Sequence, residues 1–105
     1  MQSKVLIIQN ALTQLEGQIH SSSLSADVKS RALTSVRRVD VELILHLCDR
    51  ASTPLTNANL LYIVCFLAGV DTQVIANVFH VEPATVYTVR YRLRARFNEI
   101  GVSPF

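Results

Sequence analysis

The stretch GVDTQVIANVFHVEPATVYTVRYRLRARF, residues 69–97, determines the fold expected for this chain. Asp71 is a helix-capping residue type, and the apolar spacing after it predicts a short helix over 72–79. Pro83 is tolerated in the first turn of a helix, so a longer helix is predicted to begin there and to run through Phe97. A short helix, a turn of about three residues and a longer arginine-rich helix form the layout of a helix-turn-helix.

The predicted long helix has a core-facing stripe and an exposed face when its residues are spaced by about 100°. The core-facing stripe comprises Val86, Val89, Leu93 and Phe97. The opposite stripe comprises Ala84, Thr88, Tyr91 and Ala95. The flanks carry Tyr87, Arg90 and Arg94 on one side and Thr85, Arg92 and Arg96 on the other. A ridge of small and polar residues between guanidinium groups suits a helix in the major groove of DNA, where cations contact the phosphates on both sides.

Positive charge is concentrated in the last part of the chain. Residues 83–105 contain four arginines and one acid, a balance of +3, whereas residues 1–82 contain six basic and seven acidic residues, a balance of −1. A helix that only has to be soluble usually mixes the two signs. The clustered charge therefore favours an anion-binding surface over a solvated face.

A known pattern extends over residues 55–97. Its matching residues are Leu55-Thr56, Gly69-Val70-Asp71, Ile75-Ala76, Val81, Thr85-Val86, Arg90, Leu93, Arg96 and Phe97. With these residues the stretch, 43 of the 105 positions, resembles the helix-turn-helix of LuxR/FixJ-type regulators, which is similar to region 4 of sigma factors. The resemblance implies a bacterial transcription regulator that binds double-stranded DNA as a dimer. It also implies the contact residues Thr85, Tyr87, Thr88, Arg90, Tyr91 and Arg92.

Three features depart from the pattern of that family. Glu82 places an acid near the DNA, where such proteins commonly have a serine cap. Val74 and Val78 replace polar residues of the second helix, which indicates that this face is covered. A fourth helix, often the dimer contact, is expected to be missing because the sequence ends at Phe105, so a dimer must use another surface.

The N-terminal segment carries apolar residues that repeat about every 3.5 positions, which predicts a helical hairpin or a coiled-coil-like extension. With Met1 at its start, this seam supplies the expected dimerisation residues Val5, Ile8, Leu12, Leu15 and Ile19. The same spacing fits an amphipathic helix packed on its own domain, and the sequence leaves both interpretations open.

A second helix is predicted to begin after Ser23 or Ser25 and to continue to about Arg50, with a weak point at Thr34–Ser35. The residues expected to point inward are Leu24, Val28, Val36, Val39, Leu43 and Leu47. The connector that follows, residues 51–54, ends in proline and is the best candidate for an internal boundary.

Two regions follow from this division, a dimerisation or coupling region over 1–52 and a DNA-binding region over 53–105. The helix predicted over 57–68, with Thr56 as its cap and Gly69 after its end, is apolar on nearly all sides. Such a helix must be surrounded, so the two regions are expected to share one core.

Composition narrows the class of protein further. Half of the residues are apolar and 17% are charged, which excludes a disordered chain. Cys48 and Cys65 have no CxxC spacing and indicate free thiols in a reducing cytoplasm. The histidines are isolated, and we expect no catalytic, metal or cofactor site. The longest apolar run, residues 60–70, is about half of a membrane span, so no membrane segment is expected.

The function expected from these observations is a cytoplasmic homodimeric regulator on double-stranded DNA, coupled to a sensor domain or a partner protein. One alternative is a helical adaptor or anti-regulator that keeps the fold but binds protein instead of DNA. An exposed apolar groove would favour that alternative. RNA binding is a third interpretation, because Tyr87 and Tyr91 could stack on bases, although no RNA-binding signature is present.

Overall fold

The structure, a computed structural model, describes residues 3–105, which contain six α-helices and no β-strand. In chain order the helices are α1 (Lys4–Ser21), α2 (Ala26–Arg37), α3 (Val41–Arg50), α4 (Asn57–Leu67), α5 (Thr72–Phe79) and α6 (Pro83–Asn98). The all-α fold class predicted from the sequence is therefore confirmed for this part of the chain.

Polar side chains cap the first four helices. In each case a side-chain oxygen accepts a backbone N–H of the first turn; the capping residues are Ser3, Ser25, Asp40 and Thr56. The predicted caps at Ser25 and Thr56 are confirmed. Asp71 and Glu82 precede α5 and α6, but neither side chain accepts such a bond, so the predicted capping bond of Asp71 is absent.

The single helix predicted from about residue 24 to residue 50 is wrong, because the chain breaks it into α2 and α3. The break lies at Arg38–Asp40, not at the expected weak point. Thr34 stays inside α2, where its hydroxyl donates to the Ser30 carbonyl at 2.9 Å. The Asp40 carboxylate accepts the N–H groups of Glu42 and Leu43, and this new cap starts a second helix.

The break also changes which residues of this region point inward. Val36 and Leu47 are buried as predicted. Val28 and Leu43 were expected in the core but are only half-buried, and they line depressions on the surface instead. Ala32 and Ile44 are buried in the core of the structure.

The apolar seam of α1 packs within its own chain. Ile8, Leu15 and Ile19 are at most 2% exposed, and Leu12 packs against the same core. Val5 alone among the five expected dimerisation residues is exposed, at 40%, and Met1 lies outside the described residues. The seam therefore packs as part of an amphipathic helix within its own domain, where α1 contacts α2, α3, α4 and α5.

The core includes residues from both halves of the chain. Helix α4 contributes six buried residues, Leu60, Leu61, Ile63, Val64, Cys65 and Phe66, and packs between α1 and α6. One continuous cluster of buried residues joins it to α1, α2, α3, α5 and α6. Gly69 follows this helix with a φ of 71°, a conformation that favours glycine.

Candidate nucleic-acid interface

Helix α6 is held by one apolar side. Val86, Leu93 and Phe97 are buried and Val89 is half-buried, as the helical spacing predicted. This side packs against α4 and α5. Because these contacts all lie on one side of α6, the opposite side faces solvent along the length of the helix.

The solvent-facing side of α6 presents small residues and tyrosines. Ala84, Thr88, Tyr91 and Ala95 are all exposed, as predicted for the central stripe. Tyr87 and Tyr91 are 62% and 75% exposed, and each leaves a large ring in solvent. Thr85 is exposed near the start of the helix. This side is therefore open to a ligand along three to four turns.

Two of the four arginines of α6 are engaged with other parts of the chain. The Arg90 guanidinium lies over the Phe66 ring, 5.6 Å from its centroid. The Arg96 guanidinium donates to the carbonyl oxygen of Thr53 at 2.6 Å and also to the Thr53 hydroxyl. Both arginines are half-buried as a result.

The other two arginines remain available. Arg92 and Arg94 are exposed, and neither has a hydrogen-bond or ion-pair partner within residues 3–105. They lie on opposite flanks of the central stripe, so each flank keeps one exposed guanidinium group that contacts no other described side chain through a hydrogen bond or an ion pair. No acid occurs between residues 83 and 98, and the nearest acids in sequence, Glu82 and Glu99, border the two ends of the helix.

The turn before α6 has an unusual backbone. His80 adopts the left-handed conformation, with φ 56° and ψ 44°, and its N–H bonds back to the end of α5. Glu82 is exposed at the N-cap position of α6, where its backbone carbonyl accepts the Thr85 N–H at 2.9 Å. Its carboxylate makes no capping bond, so its negative charge lies beside the first turn of α6 without being neutralised by the N–H groups of that turn.

The two apolar residues of α5 that depart from the resemblance differ in burial. Val78 is buried in the core, and Val74 is half-buried beside Val28 and Ala32 of α2. The Asn77 side-chain amide also donates to the Ser23 hydroxyl at 2.9 Å. The N-terminal helices therefore lie against α5, away from the exposed side of α6.

Residues 99–105 fold back onto the domain without forming a helix. The ring of Phe105 lies 5.2 Å from that of Phe66, and Arg50 donates to the Ile100 carbonyl at 2.9 Å. Phe66 thus contacts both the tail and Arg90, which makes it a link between α4, α6 and the last residues.

The histidines and cysteines of residues 3–105 form no metal site. The three histidines are exposed, and no group of three or more His, Cys, Asp or Glu in the described chain could hold a metal ion. Both cysteines are unpaired thiols. Burial raises the pKa of Cys65 to about 12, and burial also raises the pKa of the half-buried Cys48.

Comparison of the chain with known protein families, with curated proteins and with solved structures gives no match. Over residues 3–105, no helix has both the length and the apolar character that crossing a membrane requires.

The sequence did not reveal which arginines are engaged. The partners of Arg90 and Arg96 are Phe66 and Thr53, and Thr53 lies 43 positions from Arg96. No local motif connects residues so far apart. The alternation of arginine along α6 could show only that four guanidinium groups surround the exposed stripe.

Proposed function

We propose that this chain is a DNA-binding transcription regulator in which α5 and α6 act as a helix-turn-helix. The observation that carries the proposal is the solvent-facing side of α6, where unpaired Arg92 and Arg94 flank a stripe of small and aromatic residues. Guanidinium groups on both flanks fit the phosphates of the two strands, while the stripe between them fits the floor of the major groove.

The resemblance to LuxR/FixJ-type regulators supports the same function. It implies a bacterial protein that binds DNA as a homodimer, and two recognition helices would then lie about 34 Å apart. The two free cysteines favour a cytoplasmic location for this proposed regulator. Among residues 3–105, the exposed large apolar residues outside α6 are Val5, Leu6 and Ile7 in the first turns of α1. We therefore assign the dimer contact of this proposal to the start of α1, since the rest of the seam packs within the chain.

The test is fluorescence anisotropy with a mixed-sequence 30-base-pair duplex over a series of salt concentrations. Nonspecific binding requires no known operator, and its affinity should fall with salt by a log–log slope of about 0.9 for each phosphate neutralised. The decisive variant is Arg92→Ala/Arg94→Ala. We expect it to reduce the slope by nearly 2 and to weaken binding at low salt.

A matched control is available on α2. Arg31→Ala/Arg38→Ala also removes two exposed positive charges, but from α2 and its C-cap instead of from α6. This control should bind DNA nearly as well as the wild type. Equal losses in both double variants would mean that net charge alone attracts DNA, and a folded wild-type protein that does not bind at low salt would refute the proposal.

A groove on the N-terminal half supports the adaptor as a second candidate function. Two adjoining depressions share Ser35 and run between the outer face of α2 and the α4–α5 turn. Their half-buried apolar residues are Val28, Val39, Leu43, Leu67, Ala68, Val70 and Val74. Arg31 and Arg38 border the groove seven positions apart, and neither forms an ion pair within residues 3–105.

The occupant that fits this groove is an amphipathic helix with acidic residues facing the two arginines. The acids of the groove, Asp40 and Asp71, each precede a helix, where the helix dipole offsets their charge. A synthetic amphipathic peptide with glutamates seven positions apart should bind better than its lysine counterpart. Arg31→Glu/Arg38→Glu should reverse that preference, and binding of neither peptide would remove this candidate.

A further inference from the structure

The hydroxyl of Thr88 is committed to the backbone of its own helix. Its Oγ1 donates to the carbonyl oxygen of Ala84 at 3.0 Å, although the residue as a whole is exposed. Threonine in a helix commonly makes this bond one turn back. Because the hydroxyl points along the helix toward Ala84, the γ-methyl is the group that Thr88 presents to a ligand.

The neighbours of Thr88 on the exposed stripe are also poor in hydrogen-bonding groups. Ala84 and Ala95 present methyl groups, and Tyr91 presents a ring that is 75% exposed. Between residues 84 and 95 there is no Asn, Gln, Asp or Glu. The side chains that read adenine by paired hydrogen bonds, and those that accept from cytosine, are therefore absent from this part of α6.

Apolar groups read one base in the major groove. Thymine carries a 5-methyl group there, and contacts with alanine, threonine methyl and aromatic side chains distinguish it from cytosine. Arginine can read guanine, but Arg92 and Arg94 lie on the flanks and not on the stripe. The stripe as the structure presents it is thus complementary to thymine.

We infer that α6 recognises thymine through its 5-methyl group, with the γ-methyl of Thr88 at the centre of the contact. The inference rests on the proposed function, since it names the base that the exposed stripe reads. Arg92 and Arg94 supply attraction to the phosphates, and the methyl-bearing stripe supplies the sequence preference.

The experiment begins with selection of bound duplexes from a randomised pool and then removes single methyl groups from the DNA. Each thymine of a selected site is replaced by uracil, which differs only in lacking the 5-methyl group. Removing one buried methyl group should weaken binding about fourfold, from a transfer free energy of about 0.8 kcal/mol per carbon. We expect this loss at one or two thymines per half-site and no change at the others.

A second arm removes the methyl group from the protein. Thr88→Ser retains the hydroxyl and its bond to Ala84 but lacks the γ-methyl. We expect this variant to bind the thymine and uracil duplexes equally well. Thr34→Ser is the matched control, because Thr34 is exposed on α2 and makes the same bond, to Ser30, at 2.9 Å. The control should keep the fourfold preference for thymine.

The outcomes separate this inference from the proposed function. Salt-dependent binding that is lost in Arg92→Ala/Arg94→Ala, together with identical affinity for every uracil duplex, would leave the function standing and overturn thymine recognition. An unchanged thymine preference in Thr88→Ser would also overturn the assigned role of Thr88. Absence of duplex binding by the folded wild-type protein would refute both the proposed function and thymine recognition.

Discussion

The guanidinium of Arg96 donates a hydrogen bond of 2.6 Å to the carbonyl oxygen of Thr53, which joins the last turn of α6 to the connector between α3 and α4. Arg94, two positions earlier, has no partner within residues 3–105. Two arginines on one helix therefore have different environments, and single substitutions should separate their roles.

Arg94→Ala should weaken DNA binding and reduce the salt slope by about 0.9, because one phosphate contact is lost. Its free energy of unfolding should remain within about 0.5 kcal/mol of the wild type, as for other surface substitutions. Arg96→Ala should instead destabilise the fold by about 0.5–1.5 kcal/mol through the lost bond to Thr53, with a smaller effect on the slope. Urea unfolding and duplex titrations measure the two effects, and the reverse pattern would show that the assignment of the two arginines is wrong.

Glu82 should be replaceable with a gain in both stability and DNA affinity. Its backbone already has the extended conformation of an N-cap, with φ −72° and ψ 147°, but its side chain caps nothing. Glu82→Ser should stabilise α6 by about 0.5–1 kcal/mol through a new capping bond, and it removes a negative charge beside the DNA surface.

Glu82→Gln separates these two effects. It removes the same charge but lacks the short hydroxyl side chain that caps best, so DNA affinity should rise without the gain in stability. Thermal unfolding and duplex binding at low salt measure both quantities. Unchanged affinity in the two variants would indicate that Glu82 lies too far from the DNA to repel it.

His80 should be a site where glycine stabilises the protein. A side chain at a φ of 56° is strained, and glycine relieves that strain at the cost of a more flexible unfolded chain. We expect His80→Gly to raise the free energy of unfolding by about 0.5–1 kcal/mol. His80→Val should lower it, because a β-branched residue tolerates this conformation least. A loss of stability in the glycine variant would mean that the imidazole makes a compensating interaction.

Stability should fall in alkaline solution because of Cys65. Burial raises the pKa of its thiol from 9.0 to about 12, so the unfolded chain releases this proton at a lower pH than the folded chain. The stabilising contribution is complete below pH 9 and is lost as the pH rises toward 12. Within that window the slope approaches about 1.4 kcal/mol per pH unit.

Cys65→Ala should flatten this dependence, and Cys48→Ala is the control. The pKa of Cys48 is also raised, but that thiol is only half-buried. The free energy of unfolding of Cys65→Ala should still fall with pH, but with a shallower slope. Cys48, Tyr62 and Lys4 account for this remaining slope, because the fold raises the pKa of each. Urea unfolding at pH 8, 9.5 and 10.5 measures the slopes. Equal slopes in wild type and Cys65→Ala would contradict the assignment.

Local signals in the sequence were sufficient for most of the helices. Thr56 and Gly69 border α4 as predicted, α5 has its predicted bounds, and α6 begins at Pro83 and extends one residue past Phe97. Capping side chains, proline geometry and the positive φ of glycine act within a few residues, so these boundaries can be predicted without knowledge of the fold. Asp40 belongs to the same class of signal, and its capping potential should have predicted the division between α2 and α3.

The candidate interface was predictable only as a set of residues on one side of a helix. Helical periodicity separated Val86 and Leu93, which are buried, from Thr88 and Tyr91, which are exposed. Periodicity also identified the seam of α1, but it could not tell whether the seam would pack against a second chain or against its own. An apolar stripe has the same spacing in both cases.

Local signals in the sequence were thus enough to predict the all-α fold class and the exposed side of α6. Only the packing of the helices shows that the seam of α1 is used inside the chain, that Arg92 and Arg94 are exposed, and that Arg96 is bonded to Thr53. This difference arises because helix caps and periodicity depend on neighbours along the chain. The partners of a side chain such as Arg96 depend on which distant segment the packing of apolar faces brings beside it.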